Sequence, residues 1–455
     1  MCRPCAVAAV CQAVTVPIAV MPEVMSSRER KSFSPSLWVP TLYFAEGLPF
    51  YAVNMMALIF FSRMGVSNVT ITATVSLLGL PWSLKPLWSP FLEMYRTKKF
   101  FVILMEFLGG VSLGLLALCL PLPGFFRYSV ALLAVIAFCS STHDIAADGL
   151  YIASLSRKQQ AAYAGWQGGF FNIARFVSQG GLLILAGYLE TRMPVARAWM
   201  MIFATVGITL VVLSLFHARV LPTGGEERHS GDLRAMLRTF WDVVISFFEK
   251  PHIWFLLLFV FLYRAGEGQV VKVGPLFLKA ARDSGGLGLT TAQFGTIYGT
   301  FGTAAFILGS VLGGYFAAWL GLKRALLPLI LVMNLPMLTY FYLSSQLPTN
   351  PVLITLAMSL EMFGYGFGFV GVMLVMMQEI APGKYQTAHY AFANSLMNLG
   401  LVIPGAISGW VQTKIGYQHF FLWVLISAVP AMILARFVPI HGARVPQESF
   451  EPVEL

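Results

Sequence analysis

Long apolar runs alternate with short polar breaks along the whole chain. Runs of about 20 residues, enough to span a bilayer, fall near 37–61, 68–91, 100–121, 127–153, 160–189, 197–217, 252–280, 291–319, 323–344, 351–380, 385–412 and 418–439. The pattern predicts an all-α membrane protein of about twelve transmembrane helices, numbered below as spans 1 to 12. The longest break carries Gly224-Gly225-Glu226-Glu227-Arg228. After it, Leu233, Leu237, Phe240, Trp241, Val244 and Phe248 recur at helical spacing. These six make one apolar stripe, with Arg234, Arg238 and Asp242 elsewhere, which predicts a helix lying on the inner membrane surface. The expected organisation is an N-terminal segment (1–36), a six-helix bundle (37–217), a linker (218–250), a second six-helix bundle (251–440) and a tail (441–455).

The two halves repeat weakly. Ala45-Glu46-Gly47 in span 1 matches Gly266-Glu267-Gly268 in span 7, each followed by an apolar run. Ala162-Tyr163-Ala164 and Gly187 in span 5 match His389-Tyr390-Ala391 and Gly409 in span 11. Order, spacing and a central linker together suggest two pseudo-symmetric bundles around a midplane site, the architecture of the major facilitator superfamily.

Composition strengthens the membrane reading and removes others. Of 455 residues, 57% are hydrophobic and 11% charged, with mean hydropathy +0.74. A soluble domain carries roughly 25% charged residues. The net charge of +10 sits mostly in alternate connections, among them Arg96, Lys98, Lys99, Arg219, Lys250, Lys323, Arg324 and Lys384. That bias predicts cytoplasmic termini and a cytoplasmic linker. It is not gathered on a soluble face, so no nucleic-acid partner is expected. The expected partners are the lipid bilayer and a small-molecule substrate, and the expected functional unit is a monomer. Residues 1–24 read as an extension before Met25, and Cys2 and Cys5 lack a second ligand pair for a metal. No GxxxxGK[ST], GxSxG or HExxH motif occurs, so neither ATP-driven pumping nor an enzyme is expected. No filter-like repeat points to a selective channel.

Ionisable residues inside spans are functional candidates by default, because an unpaired charge there is costly. Asp144 and Asp148 lie four apart on span 4 and share a face. Two carboxylates in a poorly hydrated cavity resist joint ionisation, which makes a proton-binding site. His143 is adjacent in sequence but points roughly 100° away on a helix. Glu46, Glu267 and Glu361 stand beside glycines in spans 1, 7 and 10, and complete the proton-coupling candidates. The candidate bases for substrate are Lys85, Arg175, Arg264 and Lys272. Arg264 and Glu267, three apart, can neutralise each other. Arg175 has no local acid, so it needs the aspartates of span 4, another helix or an anionic ligand. Tyr43, Tyr51, Asn54, Trp82, Trp166, Gln167, Asn172, Gln269, Tyr298, Asn394 and Asn398 are candidates to line a sugar site, rings packing on C–H faces and amides serving hydroxyls. Glu93, Arg96 and Lys98 after span 2, and Lys323 and Arg324 after span 8, resemble the gating loops of the superfamily.

The run Ile136-Ala-Phe-Cys-Ser-Ser-Thr-His-Asp144-Ile-Ala-Ala-Asp148 resembles the span 4 signature of the muropeptide permease family, known as AmpG. Lys85-Pro-Leu-Trp88-Ser89-Pro90, Arg175 before Gly180-Gly181, Tyr263-Arg264-Ala-Gly-Glu267 and Leu360-Glu361 fall in the same order as that family's positions. The resemblance runs from about 37 to 435. His143 stands where the better-known permeases usually carry Gln, and Glu267 where they carry Asp. The family implies proton-driven import of cell-wall fragments such as GlcNAc–anhydroMurNAc across a bacterial inner membrane, with no cofactor beyond the proton gradient. MurNAc, another amino sugar or an acetyl-CoA-like anion are the alternative cargoes. A channel or a membrane enzyme is the alternative class.

Overall fold

A bilayer-length apolar segment satisfies its own backbone by coiling, and each expected run is helical. The computed structural model describes residues 33–89, 92, 96–224 and 233–440. Residues 1–32 (with Cys2, Cys5 and Met25), Glu93 and the tail from 441 lie outside the described residues. Among the described residues ten helices are long and apolar enough to cross a membrane. One of them is double: spans 11 and 12 run on as Gln386–Leu434 through a turn at Gly416, whose φ of 75° suits glycine. Span 2 is not among the ten because it breaks into Asn68–Leu77, Leu80–Leu84 and a 3-10 turn at Lys85–Leu87. Pro81 and Pro86, which have no N–H to donate, sit at those breaks. The described residues thus make the twelve expected passes as two six-helix bundles.

The outer surface is apolar, as lipid requires. Leu118, Ile208, Leu308, Trp319 and Leu356 are exposed, whereas Glu106, Arg175, Arg264, Glu267, Lys272 and Glu361 are buried. Residues 33 and 440 and the linker lie at one end of the spans, here the terminal face. The connections after spans 1, 5, 7, 9 and 11 lie at the other, the distal face.

The two bundles meet at their distal ends. Asn68 of span 2 donates to Gln412 Oε1 of span 11 (2.8 Å) and to the Tyr417 hydroxyl (3.0 Å). Spans 5 and 8 press together where both are wound as π-helix, at Phe176–Leu182 and Gly295–Gly302. There a Cβ on Gly299 would lie 1.7 Å from the Gln179 carbonyl oxygen, and in the adjoining α-helical turns one on Gly187 would lie 2.2 Å from Ala292 N. Towards the terminal face of span 5 the neighbours fall away. A Cβ on Gly165, Gly168 or Gly169 would meet nothing within 4 Å.

The linker helix, Leu233–Phe248, departs from the expected single stripe. It docks on the second bundle with Val243 and Phe247, both buried. The Phe247 ring lies 5.8 Å from Phe392, and Ser246 Oγ lies 3.1 Å from His389 Nε2. Leu237, Trp241 and Ile245 stay exposed on another side. The helix has two apolar sides because it covers a bundle as well as facing outwards. Lys250 caps the end of span 10 by donating to the Pro382 carbonyl (2.7 Å), and burial holds its ammonium below the usual lysine range.

Candidate functional site

Four spans of the first bundle build one polar cluster. Asp144 of span 4 accepts a charged hydrogen bond from Lys85 of span 2. Of the partners left open for Arg175, this removes the aspartates, since Lys85 holds Asp144 instead. The 3-10 turn of span 2 delivers Lys85 to span 4, while Arg175 is turned elsewhere. Asp148, one turn along, accepts from the Tyr43 hydroxyl of span 1 at 3.0 Å, and Gln167 of span 5 donates to that same hydroxyl. Glu46 acts electrostatically on Asp144, Asp148 and Lys85, and its Oε2 is buried without a partner. Asp148 is exposed, and Tyr390 of span 11 is close enough to interact with both Lys85 and Asp148. Three carboxylates against one lysine leave the cluster able to hold protons, since neighbouring carboxylates cannot all stay ionised.

Deeper between the bundles, Arg175 is 7% exposed and makes no ion pair among the described residues. It reaches across to the second bundle. Its guanidinium lies 4.4 Å over the Phe306 ring, its Nη2 is 3.6 Å from Met362 Sδ, and its Nε has no partner. An aromatic face and a thioether hold a cation in place without neutralising it. Glu361 and Glu267 interact with Arg175 at longer range, and Glu361 Oε2 is also buried without a partner. Arg264 and Glu267 pair at 3.1 Å, as their spacing suggests, with Arg264 over the Phe369 ring at 4.7 Å. Lys272 is 1% exposed between spans 2, 7 and 11.

The remaining candidates divide. Tyr51, Trp82 and Phe171 pack around Phe50 in one aromatic group. Tyr298 is buried and stacked on Phe294. Asn394 and Asn398 are half-buried on span 11, and Trp166 is exposed on span 5. Asn54 and Asn172 donate back to their own helices, to the carbonyls of Phe50 and Gly168. Gln269 is a correction: its amide is spent on span 12, donating to Ser427 Oγ (3.2 Å) and accepting from Trp423 Nε1 (3.0 Å). It serves helix packing. Of the gating-loop candidates, Lys98 lies against Gly149 and Gly224, and Arg96 sits 5.7 Å over the Phe100 ring with φ 60°. Lys323 and Arg324 line a groove of about 520 Å³ with Gln378 and Ile440.

Two groupings escaped sequence reasoning, although Glu106 by itself stands out as an acid inside a span. At the distal face Glu190 of span 5 binds Arg63 Nε (3.0 Å), Trp199 Nε1 (2.8 Å) and the Thr291 hydroxyl of span 8 (2.7 Å), and Lys279 of span 7 donates to Thr291. It ties the bundles together. In the first bundle Glu106 is bracketed by His143 and His217. The signal for the second was present, since two histidines and a glutamate sit inside three apolar runs. The roughly 100° turn from Asp144 takes His143 to a different partner.

Comparison with known proteins agrees with this architecture. The family model described as Major Facilitator Superfamily matches residues 41–403. The anhydromuropeptide permease of Escherichia coli K12 is 26% identical over 408 residues, covering 86% of this chain and 77% of that protein. The putative transporter AmpG 4 of Rickettsia conorii is 23% identical, covering 86% and 94%. These relatives are named as a permease and a transporter, not as enzymes. The crystal structure of the nucleoside transporter NupG superposes with a TM-score of 0.64 at 16% identity, covering 88% of this chain and 96% of that one, and shares the fold. A multi-pass membrane chain with this architecture and these relatives belongs to the major facilitator superfamily, within which it is an AmpG-like protein.

Proposed function

We propose that this chain is a proton-driven symporter that imports anionic peptidoglycan fragments, GlcNAc–anhydroMurNAc with or without its peptide, across a bacterial inner membrane with both termini in the cytoplasm. One observation carries the reading. The carboxylate cluster of Glu46, Asp144 and Asp148 reaches towards Tyr390 of the second bundle through the exposed Asp148, and Arg175 lies against that bundle as a buried cation with no carboxylate in contact. The first is suited to a proton, the second to an anion such as the lactyl or a peptide carboxylate. The names of the relatives support the substrate class.

In this reading Asp148 binds and releases the proton, Lys85 steadies Asp144, and the Arg175 guanidinium receives the anionic group. The test is uptake of labelled muropeptides into proteoliposomes with and without an imposed proton gradient. Accumulation should require the gradient. Asp148→Asn should abolish accumulation yet keep some substrate exchange, because exchange does not require proton release. Full gradient-driven uptake by a well-folded Asp144→Asn/Asp148→Asn variant would remove the mechanism.

A further inference from the structure

Span 2 of the first bundle closes on span 11 of the second along a seam whose rungs run inwards from the distal face. At the outer rung Asn68 donates to Gln412 Oε1. At the middle rung the Gly409 N–H donates to the Thr72 hydroxyl oxygen at 3.2 Å, and a Cβ on Gly409 would lie 2.3 Å from that oxygen. At the inner rung a Cβ on Gly405 would lie 2.9 Å from Ser76 Oγ and 3.2 Å from Lys272 Cγ. Asn68, Thr72 and Ser76 stand at helical spacing, so one face of span 2 makes the whole seam. Lys272 reaches it from span 7, seven residues before that helix ends at Lys279, which is about 10 Å of helix.

The inner rung differs from the others in what it leaves unmatched. Lys272 is 1% exposed, yet among the described residues it has no hydrogen bond, ion pair or aromatic ring, and no carboxylate acts on it. Ser76 is fully buried, and its hydroxyl is likewise without a partner. Both side chains meet on the one glycine, Gly405. A lysine shut inside a span without a counter-charge is costly, and an apolar side chain of similar size would serve helix packing better. Glu267, the acid on the same span, is already paired with Arg264. Arg175 lies elsewhere, against Phe306 and Met362 of spans 8 and 10.

We propose that Lys272 is an entry contact for a carboxylate, covered by span 2 while the distal seam is closed and uncovered when it opens. Opening carries Ser76 away with the first bundle and leaves the lysine on the wall of the distal mouth, where a carboxylate supplies the missing counter-charge. The closed seam has no free room even for a methyl group at Gly405, so reclosure displaces the anion from the lysine. The contact is therefore transient and depends on which way the bundles face. It rests on the transport reading for its ligand, since in that reading the distal face meets the imported fragment.

The experiment follows acetylation of Lys272 by a sulfonated succinimidyl ester, read by mass spectrometry, in the full chain in lipid nanodiscs. Gly409→Ala wedges the seam, because its Cβ would lie 2.3 Å from Thr72 Oγ1 and 2.5 Å from the Asn68 carbonyl oxygen. Gly314→Ala, whose Cβ meets nothing within 4 Å, is the control. The Lys272 rate should rise about 5- to 150-fold in Gly409→Ala, the span of a two-state shift, and keep its parent value in Gly314→Ala. N-acetylmuramic acid should slow the reaction, and its methyl ester, alike in shape but uncharged, should not. That comparison is made in the parent as well, where it needs no variant to fold. Equal rates in the parent and a folded Gly409→Ala, or an acid and ester that protect alike or not at all, overturn the proposal. Protection by the acid alone in a protein that shows no gradient-driven uptake of muropeptides would sink the transport reading and leave this contact standing.

Discussion

The contact between spans 5 and 8 invites the sharpest perturbation. Gly299→Ala would place a Cβ 1.7 Å from the Gln179 carbonyl oxygen and 2.2 Å from its carbon, where ordinary contact begins at 3.4 Å. The obstacle is backbone and cannot swing aside, so the helices must separate by about 1.7 Å at that point. Overpacking of this kind costs about 1–3 kcal/mol. Gly299 and Gln179 belong to different bundles, so opening the distal interface relieves the clash while each bundle keeps its own core. In a two-state equilibrium that strain shifts the ratio of distally closed to distally open molecules by about 5- to 150-fold.

The assay is pulsed electron resonance between spin labels at Arg192, in the connection of spans 5 and 6, and Thr349, in that of spans 9 and 10. Both are exposed at the distal face. Gly299→Ala should add or enlarge a longer-distance population. Gly165→Ala on the same span 5, where a Cβ meets nothing within 4 Å, should leave the distribution as in the parent. A folded Gly299→Ala protein whose distances superimpose on the parent's would refute the assignment of this contact as the closed distal gate.

Further outcomes can be checked separately. Glu190→Gln should shift the same distances in the same direction but less, because the glutamine oxygen still accepts from the Thr291 hydroxyl, the bond that crosses between the bundles, and only its charge is lost. Lys85→Met should strand the Asp144 carboxylate and lower the unfolding temperature, with part of the loss recovered on adding Asp144→Asn. A coupling of about 0.5–3 kcal/mol is expected in that cycle, and strictly additive losses would show that the pair does not stabilise the fold. Single cysteines at Ser67 and Asn350 should react with an impermeant reagent outside intact cells and one at Ser230 should not; labelling of Ser230 would invert the proposed topology. Muramyl compounds should compete for uptake better than GlcNAc in the parent and lose that advantage in Arg175→Gln, whereas equal competition in the parent would remove the anion argument.

The spans were readable because their signal is length and apolarity, which a bilayer enforces on every pass. Even the exceptions had visible causes: prolines at 81 and 86 divide span 2, and Gly416 turns the chain between spans 11 and 12. The Arg264–Glu267 pair followed from a spacing of three. Pairings across helices were harder. The sequence offers several bases for Asp144, and only the 3-10 turn of span 2 selects Lys85. Gln269 has the chemistry of a ligand contact, yet its azimuth on span 7 commits it to span 12. His217 sits at the edge of an apolar run and reads as the start of a loop, although span 6 continues to Val220 and buries it.

Placement of the cations bears on how coupling could work in the proposed cycle. Lys85 is committed to Asp144, so protonating a carboxylate in its cluster leaves a lysine with one fewer anionic neighbour. Arg175 lies elsewhere, with a ring and a thioether from the second bundle against it and no carboxylate in contact. Its partners change whenever the bundles move, because Phe306 and Met362 belong to spans 8 and 10. The proton cluster is assembled mainly within the first bundle, with Tyr390 as its neighbour across the gap. An anion bound at Arg175 would therefore feel the relative position of the bundles directly, while a proton at Asp148 would feel it through the electrostatics of that gap. Both loads would thus bear on the motion governed by Gly299 and Glu190, without having to touch each other.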